Sequence, residues 1–293
     1  MRMIWPWQGR NRRVSWIKTS AFGLLLIPAI RFAYQVAAGE FGTLPVGLSG
    51  MVFWSGVWAT VIMLLALTVT PVLKIFRWPA IIDVRRMVGV TALVYTLGHA
   101  LIYFAFQSWD FSVIIKETVT RLSPIVATLS MIGLIALAAT SFDAAVQYMG
   151  AKHWQWLHNT IYIITALAIG HVLLVRGVYP EQFALAGIFL WLIGWRALNR
   201  NVLGTELKAL ALLAVASSIV TALLEASWFW SRRGYEVSGT LRNNFSLTAL
   251  DIGIPAAWQV LAFGVVFVFG AICSEALRRS AVAELQKPRV SSS

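Results

Sequence analysis

Cysteine is almost missing from this chain of 293 residues. Its one copy, Cys273, sits inside an apolar run, which excludes a disulfide framework and any thiolate iron–sulfur or zinc centre. Charge is scarce as well: Asp, Glu, Lys and Arg make up 12% of the residues against 59% hydrophobic content, where soluble domains carry roughly 25% charge. A chain this poor in charge is read as an integral membrane protein. Acidic residues are the scarcer sign, 12 against 24 basic, for a net charge of +12. The basic residues gather at the ends of apolar runs and form no single basic surface, which argues for orientation across a bilayer and against nucleic acid as a partner. No phosphate-binding loop, dinucleotide fingerprint or zinc motif is present, so reduced nicotinamide is not expected to bind directly.

What is present is long apolar runs. A membrane span needs about 20 predominantly apolar residues, and eight runs qualify, at about 16–38, 54–74, 87–107, 124–142, 155–175, 182–199, 205–229 and 251–275. The first lacks a small-residue cleavage site and is read as a retained span. The expected fold is all-α, a polytopic membrane helix bundle of about eight transmembrane helices with antiparallel neighbours. Placing the N-terminus in the cytoplasm puts 17 Lys and Arg on that side and 6 on the other, with Arg31 inside the first span. This asymmetry favours both termini in the cytoplasm and an even number of spans. Between the third and fourth spans, SWDFSVIIKETVTRL is too polar to cross, and reads equally as an amphipathic helix on the outer surface or as a loop. The tail ELQKPRVSSS reads as disordered.

Four histidines remain to carry chemistry, and His99, His158 and His171 lie inside apolar runs. An ionisable side chain in hydrocarbon is costly enough to mark a functional site by default. Imidazoles from facing helices are axial ligands for haem iron and suit electron transfer. His158 and His171 are 13 residues apart, a rise of about 20 Å on one helix and roughly 140° of rotation. They therefore face different neighbours, or the helix departs from ideal geometry, with Gly170 as one candidate place. His99 lies about 12 residues beyond the Arg85-Arg86 pair, nearer the depth of His171 than of His158. His99 and His171 are thus expected to form one bis-histidine haem site, with His158 left for a second, inner haem whose other ligand is unassigned. Arg85 and Arg86 are candidates to pair with haem propionates near the cytoplasmic face. His153, between Lys152 and Trp154, reads as an interfacial residue. Arg31 reads as snorkelling, with a propionate or quinone contact as its alternative. Gly98 and Gly170 beside the histidines would let a flat macrocycle approach the backbone, although small residues also serve helix packing. Asp143, after Thr140-Ser141, is expected to end the fourth span.

The runs RRMVGVTALVYTLGHALIY, IIKETVTRLS and LIALAATSFDAAVQYMGAKHWQWLHNTIYIITALAIGH resemble the ferric-reductase-like transmembrane domain family. Within it the likeness is nearest to the haem-binding MsrQ (YedZ-type) subunits of the periplasmic methionine-sulfoxide reductase system, over roughly residues 15–200. The resemblance implies a six-helix core, residues 1–200, binding one or two b-type haems through His99, His158 and His171, with residues 201–293 adding two spans and a cytoplasmic tail. It further implies electrons entering from a cytoplasmic flavin reductase, bound FMN or the quinol pool, and leaving to a periplasmic molybdopterin (MsrP-like) reductase across the bacterial inner membrane. The chain departs from the family pattern at Trp54-Ser55-Gly56 and at Arg121-Leu122-Ser123, which are expected mainly on the outer face and bear on the partner. The rival expectations are a ferric-chelate or quinone-linked reductase without that partner, and a transporter or sensor using its histidines as a proton path. Against the last stands the lack of intramembrane carboxylates near the histidines.

Overall fold

The computed structural model describes residues 13–43, 47–175, 180–201, 203–246 and 253–285, and these residues are helical nearly throughout. In hydrocarbon every backbone N–H and C=O must be satisfied internally, and a helix does this within one segment. In chain order the helices are α1 (Trp16–Ala37), α2 (Gly47–Ile75), α3 (Arg85–Phe106), α4 (Phe111–Thr120), α5 (Leu122–Ala139) and α6 (Asp143–Met149). There follow α7 (Ala151–Asn159), α8 (Ile161–Leu174), α9 (Pro180–Arg200), α10 (Leu207–Arg233), α11 (Val237–Phe245) and α12 (Ala256–Leu285). Among the described residues seven segments are long and apolar enough to cross a membrane: α1, α2, α3 with the turn before it, α5, α7 with α8, α10 and α12. These coincide with seven of the eight expected runs. The eighth, α9, forms where it was expected, but Glu181, Arg196 and Arg200 at its ends dilute its apolar stretch. One face of its middle is enclosed by protein, with Trp191, Leu192 and Trp195 all at 0% exposure, while Leu190 and Ile193 on the other face are exposed. The basic N-terminal residues Arg2, Arg10 and Arg12, Arg176 and most of the C-terminal tail lie outside the described residues.

The segment between the third and fourth spans is a helix, α4. Asp110 caps it, accepting from the backbone N–H groups of Ser112 at 2.9 Å and Val113 at 3.2 Å and from the Ser112 hydroxyl at 2.6 Å. Those bonds, the Ser112 hydroxyl foremost, hold the Asp110 carboxyl below the usual carboxylate range. Proline interrupts α1 at Pro28, and α3 repairs the ladder there. The Tyr95 hydroxyl donates to the Leu25 carbonyl at 2.7 Å and accepts from the Ala29 N–H at 3.1 Å.

The chain divides into two compact units. One comprises residues up to Val69 and Ala80–Leu185, the other Thr70–Pro79 and the residues from Ala186 on. In the first, α3, α5 and α8 meet in a core of Val88, Ala92, Leu134, Leu137, Ile164 and Ala168, joined by Ile62 and Met63 of α2. Helices α5 and α8 approach so closely that a methyl on Gly133 would meet Ile164 at 2.6 Å, and the Ser130 hydroxyl crosses to the Ile164 carbonyl at 3.0 Å. In the second unit, Gly187 meets Thr221 and Gly264 meets Ala214, so small residues bring helix backbones together. Buried Glu225 of α10 is held by Asn244 of α11 at 3.0 Å, and Asn244 in turn accepts from the Ala257 N–H at 3.2 Å.

Candidate functional site

Helix α5 measures the separation between two histidine environments. Ser123 near its N-terminus touches His171, and Thr140, which caps its C-terminus, touches His158; the 17 positions between these contacts span about 25 Å. The chain can place one segment against both ends because α7 and α8 run antiparallel to α5. The helix irregularity lies at Thr160, between α7 and α8, and not at Gly170: the Thr160 N–H bonds back to Leu157 at 3.0 Å in a tightened turn.

At the first end His99 and His171 face each other, their ring centres 6.3 Å apart and their planes at 62°. The expected pairing of these two side chains is therefore what the fold brings together. Nδ1 of His171 lies 3.0 Å from the Ser123 carbonyl and 2.9 Å from the Ser123 hydroxyl. Nδ1 of His99 lies 3.0 Å from the Ser55 hydroxyl, and His99 also bonds the Val52 carbonyl. The Ser123 carbonyl only accepts, and the Ser55 hydroxyl gives its own proton to the Val52 carbonyl at 3.0 Å, so both rings carry their proton on Nδ1 and keep the lone pair on Nε2. Gly56 leaves little room beside this pair: a methyl there would stand 3.0 Å from Cε1 of His99.

The residues present suit an iron macrocycle. The ring centres, 6.3 Å apart, are close enough for Nε2 of both rings to hold one metal at about 2.0–2.1 Å each. Among the described residues no three His, Cys, Asp or Glu side chains gather as a metal cage, and a haem would ask only His99 and His171 of the protein. Space for it is present too, since methyl groups built on Gly98 and Gly170 would meet nothing within 4 Å. Beside His99, Gly98 also lines a cavity of about 210 Å³ with Pro28, Phe32, Trp58 and Tyr95.

At the other end His158 is held differently. Its ring stacks on Trp154 at 4.0 Å, and Nε2 lies 3.2 Å from the Thr140 hydroxyl. That hydroxyl gives its own proton to the Ala136 carbonyl at 2.8 Å, so Nε2 of His158 is the donor. Trp154 completes the arrangement by donating from Nε1 to the Thr140 carbonyl at 2.8 Å. The charge of Arg85 acts on His158. Arg86 instead forms an ion pair with Asp143, which opens α6 after the fourth span has ended at Ala139. His153 and Arg31 are exposed.

The family described as ferric reductase like transmembrane component matches residues 53–169, a stretch that contains His99 and His158 and ends two residues before His171. A protein of Azospira oryzae, named protein-methionine-sulfoxide reductase heme-binding subunit MsrQ, is 32% identical over 198 residues, covering 66% of this chain and 83% of that protein. The chain belongs to the MsrQ family. MsrQ proteins of Polaromonas naphthalenivorans and Caulobacter vibrioides are 34% and 31% identical over 62% and 64% of this chain, and 84% and 91% of their own lengths. No solved structure matches the chain. In this MsrQ-family chain the residues that sequence reasoning missed are Ser55, Gly56, Ser123, Thr140 and Trp154. Each acts on a histidine through packing or a hydrogen bond. The one hint lay at Trp54-Ser55-Gly56 and Arg121-Leu122-Ser123, which were assigned to the outer face and the partner. The structure puts both serines on the histidine pair.

Proposed function

We propose that this chain is a membrane cytochrome b that relays electrons from a cytoplasmic flavin or quinol donor across the inner membrane to a periplasmic molybdopterin methionine-sulfoxide reductase. The observation that carries the reading is the facing pair His99 and His171, 6.3 Å apart with Nδ1 of each engaged. Haem b, if bound there, would be held by His99 and His171 and would supply a one-electron iron couple. The chain's part is to fix the two rings, through Ser55 and Val52 on one side and Ser123 on the other, so that little reorganises when an electron arrives.

The asymmetry of Lys and Arg supports placing both termini in the cytoplasm. The His158 end then faces the donor, FMN included, and the His99–His171 end faces the periplasm. His158 is proposed as a ligand of a second, inner haem, for which its ring must release Thr140. Arg85 is the better propionate partner, because Arg86 is already paired with Asp143. Helices α10 to α12 are proposed as an extension to a haem-bearing core that ends near residue 200.

The test is substitution in the full chain. His171→Ala is expected to lose one haem while remaining inserted, and full haem content there refutes the ligand assignment. His153→Ala is expected to keep its haem. The partner is tested by mixing the reduced chain with a periplasmic molybdopterin reductase and methionine sulfoxide, where failure of the cytochrome to reoxidise contradicts this acceptor.

A further inference from the structure

Two serines from different helices converge on the histidine pair. Ser55 of α2 sits on Nδ1 of His99 at 3.0 Å and Ser123 of α5 on Nδ1 of His171 at 2.9 Å. Nδ1 of His171 has the Ser123 carbonyl as a partner as well, at 3.0 Å. There the carbonyl decides which nitrogen carries the proton. That leaves the hydroxyl a separate task.

We propose that Ser55 and Ser123 are positioning residues that tune the electron affinity of the haem held by His99 and His171. The inference rests on the ligand reading above. The Ser55 hydroxyl gives its own proton to the Val52 carbonyl at 3.0 Å, so toward His99 its oxygen presents lone pairs. An imidazole that donates from Nδ1 gains basicity at Nε2 and stabilises ferric over ferrous iron. Ser55 is 8% exposed, and at this depth no water replaces a lost acceptor. Each serine serves one ligand only, so the two contributions are expected to add.

The experiment uses the full haem-loaded chain and its Ser55→Ala, Ser123→Ala, double-Ala and single Ser→Thr variants, read by haem count, low-spin spectrum and potentiometric titration. Each Ala variant is expected to keep this haem low-spin and to shift its ferrous-to-ferric preference about three- to tenfold, an upward move of about 30–60 mV for a one-electron couple. The double variant is expected to move by the sum, while the Thr variants, which keep the hydroxyl, stay at the wild-type potential. A fully loaded Ala variant with an unmoved potential overturns the proposal. So does a downward move, which would make the hydroxyls donors. If an Ala variant loses this haem, its Thr counterpart decides: a wild-type potential supports the proposal, and loss in both overturns it. Failure of the underlying ligand reading shows separately, as His99→Ala or His171→Ala retaining the haem.

Discussion

Gly56→Ala is the sharpest small perturbation of the site. The added methyl would stand 3.0 Å from Cε1, 3.3 Å from Nδ1 and 3.5 Å from Nε2 of His99, where carbon contacts ordinarily settle at about 3.5–4.0 Å. Somewhere a few tenths of an ångström must be yielded. The His99 ring is a poor place to find it, because Nδ1 is tied to Ser55 at 3.0 Å and the ring must face His171. Overpacking of this kind costs about 1–3 kcal/mol. The strain falls on the ligand's own orientation, so the cost should appear mainly in haem binding, as roughly a 5- to 150-fold loss of affinity. The assay is haem titration into the apo chain, with Gly89→Ala on α3 as the control, since a methyl there would meet nothing within 4 Å. Wild-type affinity and an unchanged spectrum in Gly56→Ala would refute the reasoning.

Gly98→Ala and Gly170→Ala also meet open space, so thermal stability should hold or rise with the better helix former. A lower haem content in these variants is expected if the macrocycle fills that space, and unchanged content contradicts it. Arg85→Ala is expected to weaken retention of the inner haem more than Arg86→Ala. The latter breaks an exposed ion pair with Asp143, worth about 1 kcal/mol at most, and should instead speed amide exchange in α6. The Asp110 carboxyl titrates below its unfolded range. Its support of α4 is therefore complete above about pH 4 and lost as pH falls through the folded value. Amide protection at Ser112 and Val113 should drop on acidification in wild type and be low at every pH in Asp110→Ala.

The spans were readable in advance because long apolar runs demand helices in hydrocarbon, and the observed bounds of α1, α3 and α10 lie within a few residues of the expected ones. For α9 the place was legible but its surroundings were not: composition counts apolar residues without saying whether lipid or protein covers Trp191 and Trp195. Depth alone paired His99 with His171, since residue spacing converts directly to rise along a helix. Rotation was harder. The break between His158 and His171 occurs at Thr160, an ordinary helix residue, whereas glycine drew attention to position 170. The polar partners were the least visible. Ser55 lies 44 residues from His99 and Ser123 lies 48 from His171, and no local pattern connects a hydroxyl to an imidazole brought together only by packing. Arg86 shows the reverse: both it and Asp143 stood out in the sequence, yet nothing in it joined them.

The central claim is that His99 and His171 hold a haem for electron relay. Its most direct measurement is the dithionite-reduced minus air-oxidised visible spectrum of the chain purified from haem-replete cells, with haem counted per chain. The account predicts a sharp low-spin b-type spectrum with at least one haem per chain. A colourless protein, or a high-spin spectrum that marks an open iron position, would contradict it.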